Sequence, residues 1–232
     1  MGQEEAGKFL VLIDSCRSPS SDASTIACQF DRARNHLAKL IYAQIADYSI
    51  ASQEELLGAV ERHRQALHLD GPNDFDWIFQ NELIAEREGA LYVDLVESEG
   101  ELLWSAPSDS LGPQPVSGSV RLVLALLQTG LVSVDGLRIL QDAWKGFDAN
   151  ARTKYSEWAQ RTTAALDAYA ASHPVGAGWE AAAGWVIELW PMPMVELDLS
   201  EVKVPIKDLA EQRQTQYDAW VAREFGPLGP EY

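Results

Sequence analysis

Apolar residues recur three and four positions apart along most of this chain, and that spacing makes helices its main building block. The clearest run is Ile26, Phe30, Ala33, Leu37, Leu40, Ile41, Ile45 and Tyr48, which reads as one stripe of a long amphipathic helix capped by Ser21 or Asp22. Its opposite face carries Arg32, Arg34, His36 and Lys39, the chain's one basic cluster, a solvated face or a docking site for acidic groups of the same molecule. Ser52 and Glu55 form a capping-box pattern ahead of a helix over residues 53–69, with Leu56, Leu57, Val60 and Leu67 inward. A third helix is expected from Asn73 or Asp74 to Gly89, through Phe75, Ile78, Phe79 and Leu83.

In the second half, residues 120–127 are apolar nearly all round, which predicts a buried helix ended by Gly130. Ser133 is placed to cap the next, with Val134, Leu137, Leu140, Trp144 and Phe147 on one side. Asp148 or Asn150 starts its antiparallel partner, with Tyr155, Trp158, Thr162, Ala165 or Leu166, and Tyr169 inward. Residues 206–225 read as a last helix.

Strand signals are interleaved with these. Phe9, Leu10, Val11, Leu12 and Ile13 read as a buried strand with a polar exit at Asp14, Ser15, Cys16, Arg17 and Ser18. Leu91, Val93 and Leu95 alternate with polar neighbours ahead of a turn at Glu99 and Gly100, and Leu102, Leu103 and Trp104 complete a hairpin. Period two returns at Trp185, Ile187 and Leu189 and again at Val195, Leu197 and Leu199, on either side of Pro191, Met192, Pro193 and Met194. The expected fold is therefore α+β and helix-rich, with six or seven helices and a small sheet of roughly five short strands. Residues 107–119 hold three prolines and two glycines and mark a linker between residues 1–106 and 120–232, two domains or two halves of one.

Charge narrows the function classes. With 35 acidic and 18 basic residues the formal charge is -17, and residues 71–150 hold thirteen acids against four bases. Such a surface repels phosphate backbones, so direct nucleic-acid binding is not expected, and a basic protein is the natural complement. Mean hydropathy of -0.16 and apolar runs far shorter than the roughly 20 residues of a bilayer span predict no membrane segment. A start without a basic cluster and two cysteines read as reduced, Cys16 and Cys28, place the expectation in the cytoplasm.

Chemistry has few footholds. Residues 12–19 resemble the nucleophile strand of caspase-like peptidases, a family that keeps its catalytic histidine upstream, and no histidine precedes Cys16 here. Asp14, Cys16 and Ser18 also resemble the metal-binding start of von Willebrand A domains, with a thiol where a hard cation needs a hydroxyl. Asp14 and Cys16 are thus minority catalytic candidates. Glu82 and Glu86, four apart on one helical face, are minority metal or acid–base candidates. His36, His63, His68 and His173 have no ligand-type partner at helical spacing, and Gly176, Gly178 and Ala181 mimic a dinucleotide fingerprint with no strand before them. No cofactor and no metal is expected.

The remaining signals are surfaces. Glu97, Glu99 and Glu101 make the hairpin acidic, and Trp179, Trp185 and Trp190 crowd beside the Pro-Met run, a composition suited to a protein interface. The leading expectation is an acidic cytoplasmic protein-binding protein without catalytic activity, an inhibitor, an immunity protein or a component of a larger assembly. The alternatives are a small hydrolase or transferase using Cys16 or the helix carboxylates, and a phage or particle structural protein.

Overall fold

The computed structural model describes residues 2–18, 23–65, 67–69, 78–91, 94–98, 101–105, 116–147, 150, 152–202, 211, 214–215, 217–219 and 221–223, with 67–69, 78–80, 85, 88–91, 94–98 and 101–105 as backbone alone. Among them are α1 (Gly2–Asp14), α2 (Ala23–Arg32), α3 (His36–Ile45), α4 (Gln53–Gln65), α5 (Glu82–Leu91), α6 (Gly118–Thr129), α7 (Val134–Trp144), α8 (Tyr155–Ser172) and α9 (Trp179–Leu189), and residues 211, 214–215, 217–219 and 221–223 are helical as well. A single 3-10 turn, Ser15–Arg17, follows α1.

The central element is α1, which packs against α2, α3 and α6. The expected strand at residues 9–13 is its second half. Burial falls on Glu4, Ala6, Gly7, Leu10, Val11, Ile13 and Asp14, a three-and-four rhythm. A five-residue apolar run carries no period of its own, and here the decisive positions lie upstream at Glu4, Ala6 and Gly7. Gly7 is needed for the crossing: a Cβ there would fall on the Lys39 carbonyl of α3.

The long helix expected from Ile26 to Tyr48 is broken. Asn35 caps α3 by accepting from the Ala38 amide at 3.1 Å, and the chain turns between α2 and α3. As a result α2 presents Gln29 to the interior while Phe30 is 55% exposed. Two other caps act where the sequence placed them: Ser52 accepts from Glu55 and Ser133 accepts from Gly136. Gly130 closes α6 in the left-handed conformation, φ 79°.

Buried residues of both halves form one cluster that includes Leu10, Ile41 and Leu56 together with Leu122, Leu140, Trp158 and Val186. Among the described residues no sheet enters this helical body, and the α+β expectation is overturned. Residues 185–190 are helix and its end, because Ala182, Ala183, Val186 and Trp190 are the buried positions. Residues 195–199 are turn, bend and irregular chain, with no ladder partner among the described residues. Strand-type backbone pairing among the described residues comprises two separate two-stranded ladders, β1 (Leu67–Leu69) with β2 (Ile78–Asn81), and β3 (Asp94–Ser98) with β4 (Glu101–Ser105), and one isolated antiparallel bridge between Ser52 and Lys154. The third helix accordingly starts at Glu82, and its expected first turn at residues 73–77 lies outside the described residues, as does most of the linker.

Candidate functional site

The exit from residues 9–13 is a buried clamp. Asp14 and Arg17 are each 1% exposed, and Asp14 accepts from Arg17 Nε at 2.9 Å and Nη2 at 2.5 Å. Arg17 also donates to the Pro191 carbonyl at 2.8 Å, and its guanidinium lies 3.9 Å from the Trp190 ring and 5.0 Å from that of Trp144. The second Asp14 oxygen accepts from the Met194 amide at 3.0 Å. Arg32 donates to the carbonyls of Met194, Val195 and Leu197, so two arginines hold the residues 191–197 by their backbone. Pro191 and Pro193 have no N–H to donate, and the run is fixed through the carbonyls of Pro191, Met194, Val195 and Leu197 and the single Met194 amide on Asp14. Gln29 ties the two halves of the clamp, donating to the Val11 carbonyl and the Tyr42 hydroxyl while accepting from Arg32. Burial, reinforced by the Asp14 charge, pushes the Tyr42 phenol well above its usual range.

Cys16 sits beside this clamp, half-buried and unpaired with Cys28. Burial raises its thiol pKa and the Asp14 carboxylate raises it further, against a lowering hydrogen bond with Ser15. Such surroundings disfavour the thiolate that nucleophilic chemistry requires. Neither Asp14, whose oxygens are taken up by Arg17 and Met194, nor Cys16 is presented as an activated group.

The basic cluster meets an acid of the same chain. Glu4 of α1 accepts from Lys39 Nζ at 2.7 Å, Arg87 Nε at 2.9 Å and His36 Nδ1 at 2.5 Å. Burial alone would raise its pKa, but the hydrogen bonds from Lys39, Arg87 and His36 outweigh it and bring Glu4 down to about 2. The cluster joins α1, α3 and α5, and nothing in the sequence pattern of residues 2–7 announced it.

Glu82 and Glu86 are exposed on α5, and no group of three metal-ligating side chains occurs among the described residues. In β3 and β4, Glu97 pairs with Leu102 and Ser98 with Glu101 through the backbone, while Glu99 lies outside the described residues.

The three tryptophans separate. Trp190 is buried over Arg17, and Trp179 is half-buried with its indole N–H on the Thr129 carbonyl at 3.2 Å. Trp185 alone is exposed, at 38%. Its ring faces Arg121 of α6, 4.6 Å away. Leu124 and Leu127 of α6 are 58% and 53% exposed, so the helix expected to be buried all round is buried only on its Leu122, Ala125, Leu126 and Thr129 side. The contacts of Arg121 with Trp185 and of Trp179 with Thr129 set α6 and α9 antiparallel. Together they form an apolar face of Leu124, Leu127, Ala181, Gly184 and Trp185. Glu180 and Glu188, also exposed, lie one turn on either side of Gly184. The sequence signal for this face was the excess of apolar residues in residues 120–127, more than one helix side can bury.

A groove of about 570 Å³ is lined by Ser24, Cys28, Asp31, Asn35, Asp198 and Ser200 among others. Cys28 is exposed there. Among the described residues no single helix is long and apolar enough to cross a membrane. Comparison with protein-family models, curated proteins and solved structures returned no match.

Proposed function

We propose that this chain is an acidic, cytoplasmic protein-binding protein without catalytic activity, an inhibitor, immunity protein or assembly component, and that it docks its partner on the α6/α9 face. The observation that carries the reading is Leu124, Leu127 and Trp185 standing exposed together on two packed helices. Large apolar side chains gathered on one face, with an aromatic anchor, are what protein interfaces use. Rigid helices also keep the cost of ordering low on binding. The buried clamp around Asp14 and the raised Cys16 thiol give the hydrolase alternative no support.

The test is affinity capture from the native host followed by size exclusion with light scattering. The expected result is a complex of fixed stoichiometry that is lost in the variant Leu124→Asp, Leu127→Asp, Trp185→Ala, with its circular dichroism and thermal unfolding unchanged. A complex that survives these three substitutions would overturn the site. Open-ended oligomers would favour the particle-protein alternative instead.

A further inference from the structure

We infer that the partner segment seated on the α6/α9 face is an amphipathic helix whose apolar stripe is bordered by lysine or arginine. The inference rests on the partner-binding reading above and adds the chemistry of the occupant. Glu180, Gly184 and Glu188 follow one another at four-residue spacing on the exposed line of α9, with Ala181 and Trp185 beside them. Nothing lies within 4 Å of a Cβ placed on Gly184, so the backbone between the two carboxylates is open to an approaching side chain. Across the seam stand Leu124 and Leu127.

A partner helix laying a leucine-sized side chain over Gly184 would carry its flanking residues over Glu180 and Glu188. Lysine or arginine is the complement there, since like charges across an interface are strongly disfavoured. Arg121, the cation of the seam, is engaged by the Trp185 ring and by the Val116 carbonyl at 3.4 Å. Asp47, next to the α6 start, accepts from the Gly118 amide and adds a third acid at that end. Two other occupants fit less well. A second copy brings a formal charge of -17 against -17, and an anionic bilayer meets Glu180 and Glu188 with its own negative headgroups.

The experiment titrates the full-length protein with four probes. These are an 18-residue helical Leu/Lys amphipathic peptide, its Leu/Glu counterpart, phosphatidylcholine–phosphatidylserine vesicles, and the protein itself at rising concentration. The expected result is binding of the Leu/Lys peptide alone. That binding should weaken about tenfold or more in Glu180→Gln, Glu188→Gln, and as much in Leu124→Asp. Reversal of the distant exposed acids, Asp142→Lys with Asp167→Lys, should leave it within about twofold. Equal weakening by the distant reversal would mean a diffuse charge effect and would overturn the inference. Preference for the Leu/Glu peptide, the vesicles or self-association would do so too. If capture of a partner still depends on Leu124, Leu127 and Trp185 in that case, the docking face stands and only the chemistry of its occupant falls.

Discussion

At the scale of single residues, four buried charges stand out among the described residues: Asp14, Arg17, Glu4 and Lys39. Removing one member of a buried pair leaves the other charge uncompensated, so Asp14→Ala is expected to lose about 3–5 kcal/mol in denaturant unfolding. The joint replacement Asp14→Leu with Arg17→Met should cost less than the single change, because no lone charge remains. Glu4 sets a pH dependence with a definite sign. Its folded pKa, about 2, lies below the ordinary 4.5, so its contribution is complete above about pH 4.5 and is lost as the pH falls through about 2. That contribution is of order 3 kcal/mol. The stability difference between the wild type and Glu4→Gln, followed by urea melts, should therefore be constant near neutrality and shrink across that window. A difference that grew on acidification would contradict the cluster. The thiols separate as well: Cys28 is exposed and Cys16 is half-buried with a raised pKa, so a thiol reagent at neutral pH should modify one cysteine fast, and Cys28→Ser should abolish the fast phase.

At the scale of elements, two features decide how the helices meet. The first is Gly7, where α1 lies against the α3 backbone at Lys39. Gly7→Ala improves helix propensity by up to about 1 kcal/mol, yet its methyl must push α1 away from α3, and a net loss of about 1–3 kcal/mol is expected in thermal or chemical melts. The second is the Asn35 cap that separates α2 from α3; Asn35→Ala should cost about 1 kcal/mol. The break turns α2 so that Gln29 and Arg32 reach the clamp while Ile26 and Phe30 face outward. The spacing from Ile26 to Tyr48 was legible as helical, but the turn at Asn35 was not, because the apolar period carries through it without a change of phase.

At the scale of the whole molecule, one buried cluster is shared by both halves, and α1 bridges them by packing on α3 and α6. Around it lies a formal charge of -17. Self-repulsion of that size opposes compaction and is screened within a Debye length of about 8 Å at physiological salt. Moderate sodium chloride at neutral pH should therefore raise the thermal midpoint, while the same salt weakens the Leu/Lys peptide. The opposite signs separate a global charge effect from a local one.

The local physics of the sequence determined the helical building blocks, the caps at Ser52 and Ser133, the stop at Gly130 and the acidic surface, since period, capping chemistry and charge are properties of neighbouring residues. It misassigned residues 9–13 and 185–190, where a short apolar run has the same appearance in a strand and in a helix buried on most sides. Only the tertiary structure decided the rest. It paired Asp14 with Arg17 under Trp190, brought Glu4 to Lys39, His36 and Arg87, and divided the three clustered tryptophans so that Trp185 alone reached the surface. Asp14 and Arg17 are only three residues apart, but the burial of their pair under Trp190 and the other outcomes depend on which residue of a distant element arrives opposite, and no spacing along the chain encodes that.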